Sequence, residues 1–143
     1  MLAADRSYSD GLASRIADAA VEARDVFLEV TFLRDVSLSQ WVDGARENLD
    51  HGRAAGLIQE GTYRDVMQNL PVWFAPVADR GFQERDRIRY RGYPDRLRTV
   101  LVDQAGRIWL DQTDIGAPYR RALLAGYFAP GAELREPLIR SLF

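Results

Sequence analysis

The chain has 143 residues, 47% of them hydrophobic, with 19 basic and 21 acidic side chains and a net charge of −2. That length and balance describe one ordinary soluble globular domain able to bury a core, without general polyanion-binding character. All 19 basic residues are arginine, there is no cysteine and only one histidine, so Schiff-base lysines, disulfides, thiol nucleophiles and His-rich or thiolate metal sites are excluded. No run approaches the roughly 20 apolar residues of a membrane span, and MLAADRSYSD has no apolar signal core.

In chain order, Ser9 or Asp10 is placed to cap a helix over Gly11 to Glu22, with Leu12, Ile16, Ala19 and Ala20 as its buried side. Val26, Leu28, Val30 and Phe32 then alternate with Phe27, Glu29, Thr31 and Leu33, the period-two signature of a strand with one apolar face. Arg34 continues the parity of Phe32. If the strand runs that far, a guanidinium stands at the end of the core face, where it needs a carboxylate or a ligand. Ser37 with Gln40 reads as a capping box, followed by a helix striped at Leu38, Trp41, Val42, Ala45 and Leu49. HGRAAG reads as the helix end and a loop, and Thr62 opens the next helix, with Tyr63, Val66, Met67, Leu70 and Phe74 on one face. Pro71 predicts a break or kink near Leu70, with a short continuation through Trp73 and Phe74 that Pro76 ends.

From Phe82 the period changes to two. Arg85, Arg87, Arg89 and Arg91 alternate with Asp86, Ile88 and Tyr90. A second strand runs over Arg96 to Val102, a turn over DQAG, and a third strand begins at Arg107 to Leu110, an antiparallel meander. Asp111 to Gly116 reads as loop. Pro118 suits the first turn of a helix whose inner face carries Tyr119, Ala122, Leu123 and Phe128, and Pro137 to Phe143 forms a last short helix. The expected fold class is α+β, an antiparallel sheet covered on one face by helices.

Three segments carry a resemblance. APYRRALLAGYFAPGAELREPLIRSLF is similar to the C-terminal helix pair of the bacterial chalcone isomerase-like proteins. FLRDVSLSQWVDGARENL looks like the same family's strand and helix, and QERDRIRYRGYPDRLRTVLVDQAGRIWLDQTD matches its hairpin in spacing. The resemblance implies an open-faced β-sandwich and a single domain over 1–143, N-terminally incomplete because the family's early strands are missing. It places the plant enzymes' helix tyrosine at Trp41, their helix lysine at Gly44 and their helix asparagine at Asn48. Only the asparagine is retained. The implied function is therefore a non-catalytic protein of this fold that binds a small apolar or fatty acid-like ligand. The alternatives are a chalcone isomerase-type intramolecular lyase and an interaction domain completed by another chain.

The residues expected at a ligand are Arg34 as carboxylate anchor, Trp41, Asn48, the pair Arg89 and Tyr90, and Tyr119. For each, a structural role competes: a local ion pair for Arg34, a solvated sheet face for the arginine ladder, core packing for the aromatics. His51 beside Asp50 is explained by the helix C-terminus. Neither a Ser-His-Asp order nor a glycine-rich phosphate loop is present. No cofactor, metal or nucleic-acid partner is expected. An unpaired sheet edge invites self-association. The location expected is cytoplasmic as the chain stands, or periplasmic if a signal segment precedes it.

Overall fold

The computed structural model describes residues 10–115, 117–128 and 132–141. Helix α1 (Asp10–Glu22) leads into strand β1 (Val26–Thr31), followed by helices α2 (Leu38–Ala54) and α3 (Glu60–Trp73) and a short 3₁₀ turn at Ala75–Val77. Strands β2 (Arg87–Tyr93), β3 (Arg96–Val102) and β4 (Ile108–Ile115) follow, then helices α4 (Ala117–Phe128) and α5 (Arg135–Arg140). The four strands form one antiparallel sheet in the order β1-β2-β3-β4, and helices pack against it. The fold is α+β, with an open sheet.

The alternation in β1 does what the sequence predicts. Leu28 is buried and Val26 and Val30 half-buried, while Phe27, Glu29 and Thr31 face outward. In register with them, Ile88 and Tyr90 of β2 and Leu97, Thr99 and Leu101 of β3 line the inner face. Val66 and Leu70 of α3, Phe74 just past its end, and Ala122, Leu124, Ala125 and Phe128 of α4 close the core over that face. At one end of the sheet Phe32 stacks on Phe82, with ring centroids 4.7 Å apart, and Trp41 lies on Phe74 at 4.2 Å. The capping box of α2 is complete: the Gln40 amide donates to Ser37 Oγ, and the Ser37 amide donates to Gln40 Oε1.

Five expectations need correction. Helix α2 does not stop before His51 but runs to Ala54; the stop is Gly56, at φ 75°, whose amide bonds the Arg53 carbonyl while that of Leu57 bonds Gly52. This is the glycine-dependent left-handed helix ending. Helix α3 begins at Glu60, two residues before Thr62; the expected continuation past Pro71 is present, but without a break at Leu70, Pro71 lying exposed while Leu70 and Phe74 anchor the last turn in the core. The Phe74 amide still reaches the Leu70 carbonyl. Strand β4 continues to Ile115 where a loop over Asp111 to Gly116 was expected; Asp111, Gln112 and Thr113 pair with Val100, Thr99 and Arg98. The buried alanine of α1 is Ala17, whereas Ala19 is exposed; Leu12's side chain lies outside the described residues. The last helix is Arg135–Arg140 rather than Pro137 to Phe143; residues 142–143 also lie outside the described residues.

No helix among the described residues is long and apolar enough to cross a membrane. Strands β1 and β4 are the two edges of the described sheet.

Candidate functional site

Strand β1 ends at Thr31, and Arg34 sits in an exposed bend rather than on the core face. The backbone leaves the strand after Phe32, whose amide bonds the Asp86 carbonyl, and Val36 then bridges Phe82. Arg34 takes part in none of the ion pairs formed among the described residues, and it does not line the cleft described below. Asp35 instead accepts the Glu84 amide, and Asp43 pairs with Arg46.

The remaining expected residues are scattered. Trp41 belongs to the aromatic cluster with Phe74 and Phe82. Asn48, half-buried on α2, packs its Cβ near Gly126 of α4. Arg89 and Tyr90, adjacent in sequence, point to opposite faces of the sheet. The Arg89 Nε donates to Glu29 Oε2 at 2.7 Å on the outer face, and Tyr90 is buried on the inner one. Tyr119 lies in α4, but its side chain is outside the described residues.

A cleft of about 720 Å³ opens where four chain reversals meet. Its walls come from the end of α1 (Glu22, Ala23, Arg24), the α2–α3 turn (Leu57, Ile58, Thr62), the β2–β3 turn (Pro94) and the first turns of α4 (Arg120, Arg121). Arg120 is the residue the sequence reading missed. Only 6% of it is exposed, its Nη2 donates to the Ala23 carbonyl, and its guanidinium passes over Gly92 of β2. A Cβ at Gly92 would stand 3.1 Å from Arg120 Nε, so the missing side chain there makes room for the cation. Burial pulls the Arg120 guanidinium below the ordinary arginine range, and the charge of Asp25 partly offsets this. At the cleft rim Arg121 pairs with Glu22 and donates from Nε to the Leu57 carbonyl at 3.2 Å.

Two turns along α4, Tyr127 faces the sheet as Arg120 does. Its hydroxyl lies 2.7 Å from that of Tyr90, with the rings edge to face. Burial raises both: Tyr90 well above its usual value, and Tyr127 up to about 12. Beside Tyr90 the inner face carries Thr99 and, next across the sheet, Gln112, whose Nε2 donates to Asp114 Oδ1 at 3.0 Å. Burial raises the Asp114 carboxyl, opposed by that hydrogen bond. The layer between α4 and the sheet thus holds polar groups, from Arg120 at the cleft to Tyr90 and Tyr127 farther in.

No family model and no curated protein matches the chain. The site therefore has to be read from its own chemistry. Among the described residues no three His, Asp or Glu side chains are grouped to hold a metal ion. The cleft lining carries Arg24, Arg120 and Arg121, the last already paired with Glu22, beside Leu57, Ile58 and two prolines. That combination suits a small ligand with an anionic head and an apolar body.

Proposed function

We propose that the protein binds a small apolar carboxylate, of the fatty-acid class, in the cleft between α1, the α2–α3 turn and α4. This keeps the ligand class that the resemblance to chalcone isomerase-like proteins suggests, and moves its anchor from Arg34 to Arg120. The observation that carries the reading is an arginine only 6% exposed, Arg120, at the wall of a cleft whose other lining includes Leu57, Ile58 and Pro94. A carboxylate meeting that guanidinium makes charge-assisted hydrogen bonds in a poorly solvated setting, where they are strongest. Leu57 and Ile58 supply apolar surface for the chain.

Titration with a fluorescent long-chain fatty acid, followed by displacement with unlabelled acid, tests this. Saturable binding is expected, with affinity lower by about tenfold or more in Arg120→Gln, the loss of a charged hydrogen-bond pair. Arg24→Ser, at an exposed position of the same cleft, is expected to weaken binding less and to leave folding untouched. Absence of saturable binding in the parent protein, or equal affinity in both variants, overturns the reading.

A further inference from the structure

The outer face of the sheet is where the strand register produces something the sequence order hides. Phe27 of β1 is 63% exposed and stands directly opposite Arg91 of β2, which in turn stands opposite Arg98 of β3. Two like charges in direct cross-strand register repel each other. Arg98 is held by Asp111, with Nη2 to Oδ2 at 2.6 Å, and Arg89 by Glu29. Arg87 and Arg91 take part in no ion pair among the described residues, and they stand four residues apart on one strand, about 13 Å. At the far end of the same face Ile108 is 56% exposed. The outward positions of β1 to β4 thus carry five arginines (87, 89, 91, 96 and 98) against the acids Glu29 and Asp111, on a molecule whose net charge is −2.

We infer that this exposed sheet face is a docking surface for an extended peptide segment of a partner protein that turns acidic and apolar side chains, at every second position, toward the same side. Charge complementarity selects the sign. The guanidinium forks of Arg87 and Arg91 accept carboxylates spaced along an extended strand, and Phe27 and Ile108 give apolar side chains a place to lie. Nucleic acid fits less well. Among the described residues the face has no second free aromatic platform, because the Arg96 and Arg91 guanidinium groups already lie over the Tyr93 ring, at 4.2 and 5.5 Å. The acidic remainder of the molecule also repels a long polyanion, whereas a short acidic segment covers this face alone.

The test is fluorescence anisotropy on the full chain with a labelled peptide carrying Glu, Leu and Phe at every second position, with Ser between them so that all face one side, its Gln-for-Glu counterpart, and labelled oligothymidine. The acidic peptide is expected to bind saturably, to weaken with added salt, and to bind at least about fivefold more tightly than the Gln peptide. Arg91→Ser and Phe27→Ser, both at exposed positions, are each expected to weaken it by about threefold or more, while exposed Arg64→Ser on α3 leaves it unchanged. Equal binding of the Gln peptide, tighter binding of oligothymidine, no binding at all, or full affinity in Arg91→Ser each overturns the inference. Because the cleft lies on the other side of β2, saturating it with fatty acid is expected to leave peptide affinity unchanged.

Discussion

Two ion pairs of equal length belong to opposite faces of the same strand region. Arg80 Nη1 meets Asp86 Oδ2 at 2.7 Å just ahead of β2, on the inward parity of Ile88 and Tyr90; Arg89 Nε meets Glu29 Oε2 at 2.7 Å on the outward parity. Their surroundings differ. The first pair's side chains are 13% and 2% exposed, the second's 38% and 34%. Asp86 also accepts a second bond from Arg80 at 3.3 Å and one from the Gln83 amide at 2.8 Å, and Arg80 lies over the Trp109 ring. Distance alone therefore says little about what a pair contributes. The buried carboxylate is solvated by protein, so deleting it strands a cation and an amide; the outer one has water to fall back on.

The largest effect expected from that contrast is on Asp86. Asp86→Ala should lower stability by about 3 kcal/mol or more, read as a shift in the denaturant midpoint at unchanged slope. A loss below about 1 kcal/mol would show the inner pair to be no different from a surface one. On the same inner face, Leu101→Ala removes a fully buried side chain and should cost about 2–5 kcal/mol. Glu29→Ala on the outer face should cost about 1 kcal/mol or less, with that small difference erased by salt.

The tyrosine pair sharpens the comparison through pH. In the folded state Tyr127 is pushed up to about 12 by burial, and Tyr90 is also raised, against 10.0 for an unburied phenol. Between those values the folded protein holds protons that the unfolded chain has released. Stability is therefore full below pH 10 and falls as pH rises toward about 12. Melts across that range should steepen their decline there, and Tyr90→Phe, which removes one buried hydroxyl, should flatten it. An unchanged slope in the variant would mean the pair does not control alkaline stability.

Legibility follows the same division between faces. The inner face was readable because burial writes a period-two pattern, as in Val26, Leu28 and Val30, and the α2 stripe from Leu38 to Leu49 was readable for the corresponding reason at period 3.6. The outer face was not. Its composition is visible, but Arg85 leaves the ladder at φ 71° in a turn, and Arg96 and Arg98 join it only through register. The stretch from Asp111 to Gly116 looked like loop, because what holds the polar residues of β4 in line is cross-strand partners such as Arg98 and Thr99. Arg120 had a signal that went unused: it shares a helical phase with Leu124, Tyr127 and Phe128, so α4 turns an arginine toward its packed side. Gly92, which makes room for it, carries no such mark in the sequence.

The smallest expected effect belongs to Arg34, and it separates the two arginines most cleanly. Its parity continues that of Phe32, which puts it on the core face only if the strand runs that far. The strand ends three residues earlier, and the side chain stands in solvent at a bend. Arg34→Met removes no ion pair formed among the described residues and leaves no buried group without a partner, so stability should change by less than about 0.5 kcal/mol. Fatty-acid affinity should be equal to the parent's, since Arg34 does not line the cleft. Arg120→Gln alters a guanidinium that donates to the Ala23 carbonyl and lies against β2, so it should lower both stability and affinity. Thermal melts of the two variants, each with and without a long-chain acid, compare the positions directly. A ligand-induced rise in Tm retained by Arg34→Met and reduced in Arg120→Gln supports the cleft, and the reverse order would return the anchor to Arg34.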